Sequence, residues 1–294
     1  MRIAISGSGG LVGSALAGRL RDAGHEVIRL VRSEDERAAD TAMWKPEAGE
    51  IDRGALEGTD AVVHLAGENI SSGRWSAARK KRIRESRVRG TTLIARTIAG
   101  LARRPRVLVS ASAIGYYGDR GDELLTERSS PGDGFLPAVA IEWEGATETA
   151  ARAGCRVVLL RSGLVLSARG GALAKMLPLF RLGLGGRLGS GRQYMGWISI
   201  DDLLNVVSFA IDRDGLSGPI NVVAPEPVTN SEFTRTLASV LHRPALLPAP
   251  AFALRAVMGE MADELLLSST RVVPQRLIDT GFRFAHPALE TALR

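Results

Sequence analysis

The chain has 294 residues, 45% of them apolar and 24% charged, with 33 glycines and 13 prolines, a balance that excludes a disordered or collagen-like polymer. Its single cysteine, Cys155, excludes an internal disulfide, and no Cys/His spacing suits a zinc site. With 38 basic and 32 acidic residues the net charge is +6, compatible with a phosphate-bearing ligand, an anionic membrane surface or nucleic acid without choosing among them.

No apolar run approaches the ~20 residues of a membrane span, and Ile3 to Ile5 followed by glycines is not a secretory signal pattern. The expectation is a cytoplasmic protein with no membrane partner. Arg2 to Ser6 reads as a short strand, and Leu11 to Ala23 as a helix with Leu11, Val12, Ala15, Leu16 and Leu20 at helical spacing. Gly24 stops that helix and Val27 to Val31 is the next strand. The densest basic stretch, Arg74 to Arg89, reads as a solvated helix burying Ile83. No aromatic-interleaved platform accompanies it, so no nucleic-acid partner is expected.

Strand-like segments recur at Ala61 to Leu65, Val107 to Ser110 and Val157 to Leu160, separated by helical patterns. This alternation predicts an α/β fold with a doubly wound parallel sheet of the Rossmann type. After Leu166 seven glycines (Gly170, Gly171, Gly183, Gly185, Gly186, Gly189, Gly191) crowd a region read as loops, Asn230 to Leu241 resumes as helix, and Pro244, Pro248 and Pro250 precede a last helical segment, Phe252 to Leu267. Residues 1–166, with 196–225 returning to them, form the expected nucleotide-binding domain; 167–294 are mainly a smaller C-terminal α/β cap.

Gly7, Gly10 and Gly13 stand between the first strand and helix, where a tight turn lets a pyrophosphate approach the free N–H groups of a helix N-terminus. Ser8, Gly9, Leu11 and Val12 complete this cofactor-binding turn. An NAD-selective site places an acid at the end of the second strand, to accept from the ribose hydroxyls. Here Val31 occupies that place and Arg32 and Ser33 follow, offering a 2'-phosphate a cation and a hydroxyl, so NADP(H) is favoured over NAD. The alternative is an ordinary surface loop in which Glu34 and Asp35 pair with Arg32.

TDAVVHLAG at Thr59 to Gly67, SASAIGYYG at Ser110 to Gly118, WISIDDL at Trp197 to Leu203 and NVVAPEPV at Asn221 to Val228 follow the glycines in order. With them the chain resembles the extended short-chain dehydrogenase/reductase superfamily over nearly its whole length. GGALAKMLPLF at Gly170 to Phe180, LGSGRQYMGWISIDD at Leu188 to Asp202 and DELLLSSTRVVPQRL at Asp263 to Leu277 resemble its atypical epimerase-like branch, which carries an extra C-terminal domain of unknown function. The resemblance implies that Leu65, Ala66 and Gly67 line the nucleotide. It also implies that Ser112, preferred over Ser110, stands near the catalytic Ser/Thr, with one residue more than usual before Tyr117-Gly118.

The family's Tyr-x-x-x-Lys, in which lysine favours the tyrosinate that exchanges a proton with substrate, falls on Leu136 and Ala140 when the helix is aligned through Glu144. Neither residue titrates. Arg87 takes the place of the family's Asn near the site and, with Ser110, is grouped with the cofactor-binding residues. Tyr116 and Tyr117 are candidate phenols, and Lys175, Arg192, Tyr194 and Trp197 are candidate substrate contacts. Asp201-Asp202 reads as helix capping rather than a metal pair. The expected function is an NADP(H)-dependent oxidoreductase or epimerase acting on a small carbonyl or alcohol, with no metal and with a homodimer left open. The alternative is a redox-inactive NADP(H) sensor.

Overall fold

The computed structural model describes residues 1–294. Its frame is an eight-stranded sheet of β1 (Arg2–Ser6), β2 (Glu26–Val31), β3 (Thr41–Lys45), β4 (Glu50–Ile51), β5 (Ala61–His64), β6 (Val107–Ala113), β7 (Arg156–Ser162) and β8 (Gly218–Val222). The spatial order is β8-β7-β6-β5-β1-β2-β3-β4. All pairings are parallel except β3 with β4. The chain leaves β1 toward β2 on one side and returns to β5 on the other, so the order reverses at β1. In a doubly wound sheet the crevice at the carboxyl ends of those strands is the ligand site.

Side chains alternate across this sheet with period two. Ile3 and Ile5 of β1, Val63 of β5 and Val109 of β6 join one core with Leu16 of α1 (Leu11–Asp22), while Ala4, Val62 and Leu108 point the other way, onto Ile94 and Ile98 of α2 (Ala77–Ala99). Burying each aliphatic side chain contributes about 1.5–3 kcal/mol. Both faces are covered, as the unbroken apolar strands require.

After the sheet strands, α3 (Phe135–Gly145) follows β6, α4 (Gly171–Arg181) follows β7, and α5 (Ile200–Asp212), which precedes β8, packs beside α1 on the sheet core. Then come α6 (Asn230–Leu241) and α7 (Ala251–Met258). Leu173, Leu177 and Phe180 of α4 pack with Phe233 and Leu237 of α6, Trp197 and the C-terminal Leu289 in a core separate from the sheet. Asp202, in the first turn of α5, is fully buried and accepts hydrogen bonds from Ser199 Oγ at 3.0 Å, Ala285 N at 2.7 Å and His286 N at 2.9 Å. It therefore anchors the tail as well as the start of its helix.

The periodicity missed β3, whose five residues alternate too briefly to stand out, and it read one helix over Phe252 to Leu267. The structure instead breaks that segment at Gly259, at φ +63°. A short turn at Glu260–Ala262 and a widened π-turn at Asp263–Leu267 follow. The break brings Gly259 against the Arg74 guanidinium, where a Cβ would lie 3.3 Å from Nη2. No helix is long and apolar enough to cross a membrane.

Candidate functional site

The glycine turn sits at the β1/β5 crevice. Gly7 has φ +72°, and a Cβ there would lie 2.8 Å from the Ala66 amide nitrogen, so glycine is required both for the turn and for the approach of the two strand ends. A Cβ on Gly13 would run into the Gly7 carbonyl oxygen, whereas one on Gly9 would meet nothing within 4 Å. The first requirement belongs to helix–strand packing and the second leaves space above the turn. Gly10 caps α1 without a side-chain hydrogen bond, and no acidic residue lies in its first turn. Unpartnered N–H groups with a positive helix end therefore face that space, which fits a pyrophosphate.

Around this turn Ser8 is buried, Val12 packs on the sheet core, and the Leu11 side chain touches the start of α4 at Gly170 and Gly171. Leu65 and Ala66 back Gly7. Gly67 leaves room for Arg87, whose Nη1 donates to the carbonyls of Glu68 and Ile83 at 3.1 Å each. The Arg87 guanidinium also lies over the Trp143 ring at 5.0 Å, and burial lowers its pKa to about 10. Together with Arg79, which pairs with Glu68 at 2.6 Å, it ties the loop after β5 to α2.

Arg32, just past β2, lies 5.7 Å from the Trp44 ring centroid and 3.9 Å from Glu47. Its side chain is 49% exposed. The two acids that offered an alternative pairing are engaged elsewhere: Glu34 pairs with Arg37 at 2.8 Å, and Asp35 bonds Ser33 through its amide and its carboxylate. Beneath them His64 is fully buried, with Nδ1 2.5 Å from Ser6 Oγ and Nε2 unpartnered. Burial first, and the nearby Arg32 charge second, lower its pKa to about 3.

At the end of β6 the structure joins residues distant in sequence. Ser112 Oγ donates to Glu144 Oε1 at 2.6 Å. Arg161 of β7 grips the same carboxylate with two bonds of 2.8 Å and donates to the Tyr117 hydroxyl at 3.1 Å. Tyr117, wholly buried, donates to Asn221 Oδ1 at 2.7 Å. Burial pushes its phenol pKa up against the opposing pull of Arg161. For Arg161 burial works against the charge, but the bonds to Glu144 and the neighbouring Tyr117 outweigh it and the pKa rises. The guanidinium also stacks 3.5 Å from the Tyr116 ring centroid. Tyr116 is half-buried and its hydroxyl has no hydrogen-bond partner in the protein. Ser110 is fully buried, with only a long 3.4 Å bond to the Ala111 carbonyl.

Leu136 begins the helix face that continues through Ala140 to Glu144, and it packs against Gly115. Of the candidate substrate contacts, Lys175 Nζ donates to Ser71 Oγ at 2.9 Å and so spans from α4 to the loop after β5. Arg192 is exposed, and Tyr194 lies 5.0 Å from the Arg271 guanidinium. Trp197 is 1% exposed within the α4–α6 core, where its ring packs rather than meeting solvent. Neither Lys175 nor Trp197 is hydrogen-bonded to the Ser112 network.

Sequence reading passed over Glu144 as a functional group and missed Arg161, Asn221 and Glu264. Arg161 had a signal, a cation inside the apolar run VVLLRSGLVL. Glu144 had one too, being one turn beyond Ala140 on the face that carries the family's motif. Glu264 accepts from the Phe135 amide at 3.1 Å and the Leu136 amide at 3.3 Å, capping α3 from the far end of the chain. No group of three or more His, Cys, Asp or Glu residues is placed to hold a metal.

A profile of the NAD dependent epimerase/dehydratase family matches residues 3–224, and a domain of unknown function (DUF1731) matches residues 249–294. The chain is 47% identical over 293 residues to an epimerase family protein of Mycobacterium tuberculosis, covering 99% of this chain and 96% of the relative. The structure of human epimerase family protein SDR39U1 (isoform 2) with NADPH is 35% identical, with TM-score 0.92 over 100% of this chain and 98% of that one. A nucleoside-diphosphate sugar epimerase of Corynebacterium glutamicum is 40% identical, with TM-score 0.82 over 100% of this chain and 57% of that longer one. On these matches and this geometry, the chain belongs to the NAD dependent epimerase/dehydratase family, with a DUF1731 domain at its C-terminal end.

Proposed function

We propose that this protein is an NADP(H)-dependent oxidoreductase or epimerase acting on a small carbonyl or alcohol. The observation that carries the reading is the uncapped N-terminus of α1 behind the Gly7 turn, with Val31 rather than an acid at the end of β2 and Arg32 just past it. The human neighbour solved with NADPH supports the same cofactor. Gly7 to Gly13 hold the pyrophosphate, Arg32 and Ser33 meet the 2'-phosphate, and the bound nicotinamide supplies or takes the hydride. Tyr116 is the phenol available to exchange a proton with the substrate oxygen, since Tyr117 is enclosed by Arg161 and Asn221. Ser112 orients that oxygen only if its hydroxyl turns away from Glu144.

Titration by nicotinamide fluorescence tests the cofactor. NADPH binds tighter than NADH, and Arg32→Ala removes the difference; for a half-exposed cation the charge-assisted contact contributes ~1–2 kcal/mol, about 5- to 30-fold. Equal affinities in the unmutated protein reject the assignment. Nicotinamide absorbance across ketones, aldehydes, quinones and nucleotide sugars then tests the reaction, with Tyr116→Phe and Ser112→Ala in parallel. A second reading, the redox-inactive NADP(H) sensor, is favoured by one observation, the engagement of Ser112 by Glu144 at 2.6 Å. Tight NADPH binding with silence across the panel selects it.

A further inference from the structure

No aspartate or glutamate occurs between Glu148 and Asp201, nor between Glu232 and Glu260. The fold brings parts of these two acid-free stretches together. Leu184 bridges Ala245 and Leu188 bridges Ala249, Arg243 Nε donates to the Arg181 carbonyl at 3.0 Å, and Gly186 is pressed so closely on the Leu247 carbonyl that a Cβ would collide with it. Three prolines, Pro244, Pro248 and Pro250, stiffen the second segment. The resulting ribbon and the end of α4 hold Leu179, Leu182, Leu184, Leu246 and Leu247 at 50–80% exposure. Arg181, Arg187 and Arg243 stand exposed among them. Phe252 of α7, two residues after Pro250 at the end of the ribbon, is 75% exposed.

We propose that this face docks on an anionic lipid surface. Exposed leucines carried on a stiff ribbon enter the headgroup and acyl boundary without first being ordered, and arginines beside them are drawn to lipid phosphates. A second copy of the chain is a poor occupant, because a two-fold contact sets the same patch against itself and so brings arginines against arginines. A protein partner is disfavoured because protein interfaces fix register with charges of both signs, whereas these two segments carry arginines and no acid. The nearest acids in sequence beyond α7 are engaged: Glu260 pairs with Lys80 and Asp263 with Arg255, each at 2.8 Å. The absence of a spanning helix concerns crossing a bilayer and leaves surface binding open.

Flotation of the full chain with vesicles tests the proposal, using phosphatidylcholine alone and phosphatidylcholine with about a third phosphatidylglycerol. The expected result is flotation with the anionic vesicles only, weakening as salt rises, and reduced ~10-fold or more by Leu182→Ser/Leu246→Ser and by Arg181→Ser/Arg187→Ser. Unchanged thermal melts verify that these variants fold. No flotation overturns the proposal, as does equal binding to neutral vesicles. Retained binding in both variants also overturns it, by assigning the effect to the overall positive charge. A dimer in sedimentation that Leu182→Ser/Leu246→Ser dissociates, without vesicle binding, gives the face to a second copy. Binding of an acidic amphipathic peptide without vesicle binding gives it to a protein partner.

Discussion

The buried Glu144–Arg161 pair makes a prediction that separates stability from function. The two side chains are 11% and 4% exposed, and they meet through two bonds of 2.8 Å. Glu144→Leu leaves a guanidinium enclosed by Tyr116 and Tyr117 with no counter-charge, which costs about 3–5 kcal/mol. It also removes the acceptor of the Ser112 hydroxyl, adding about 1 kcal/mol or more. The loss of roughly 4–6 kcal/mol shows as an equal drop in unfolding free energy by guanidinium titration followed by circular dichroism. Glu144→Leu/Arg161→Met replaces both charges with apolar groups and recovers most of the loss, to within about 2 kcal/mol of the parent, because the desolvation of both ions is then avoided. The reasoning is refuted if Glu144→Leu costs under about 1 kcal/mol, or if the double variant loses as much as the two single changes together, which would deny the coupling. If the double variant folds and binds NADPH but gives no turnover where the parent does, the pair serves the site rather than the fold.

His64 predicts an acid-sensitive fold. Its pKa is about 3 when folded and its ordinary value is 6.5, so between these values the unfolded chain binds one proton more. Stability then falls by about 1.4 kcal/mol for each pH unit below 6.5, roughly 5 kcal/mol in all by pH 3. His64→Gln removes this contribution, and guanidinium titrations from pH 7 to 4 that give parallel slopes for the two proteins defeat the idea. Gly13→Ala, whose Cβ strikes the Gly7 carbonyl, lowers the melting temperature of the cofactor-free protein, while Gly9→Val leaves it unchanged and weakens NADPH in fluorescence titration. Glu264→Gln keeps one acceptor oxygen, so one of the Phe135 and Leu136 amides loses its partner along with the charge at the N-terminus of α3, costing ~1–3 kcal/mol in the same denaturation assay. A larger loss rescued by no change in salt would contradict a charge–dipole origin.

What the sequence disclosed follows contact distance along the chain. The β1–α1–β2 unit was legible because its signals are local: glycines at fixed spacing, an apolar run on each side, and Val31-Arg32 in place of an acid. The Ser112 site was only half legible. Ser112 and Tyr117 were visible on the strand end, but their partners are 32 residues away at Glu144 and 104 away at Asn221. Only β6–β7 pairing sets Ser112 beside Arg161. A charge within an apolar strand was the one trace that this pairing left in the sequence. Trp197 shows the converse: its neighbours Arg192 and Tyr194 suggested a ligand grip, whereas the parallel pairing of Trp197–Ser199 with Leu164–Leu166 carries the ring into the α4–α6 core.

The C-terminal domain meets α3, the helix on which the family's Tyr-x-x-x-Lys aligns. Its first turn has Leu136 where the motif has tyrosine, the Phe135 and Leu136 amides donate to Glu264, and a Cβ on Gly134, at φ +119°, would lie 2.7 Å from Glu264 Oε1. Farther along the tail, the Ser269 amide donates to Asp119 at 3.0 Å, and Asn221 Nδ2 donates to the Val273 carbonyl at 3.0 Å while its Oδ1 takes the Tyr117 hydroxyl. The tail therefore fixes three neighbours of the site: the start of α3, the loop after Tyr117, and the residue that holds Tyr117. With Leu136 and Ala140 in the first two turns of α3, the one acid on that face is Glu144, and it pairs with Arg161. The DUF1731 domain thereby fixes the surroundings of Tyr117 and the start of α3 through hydrogen bonds from its own backbone and side chains.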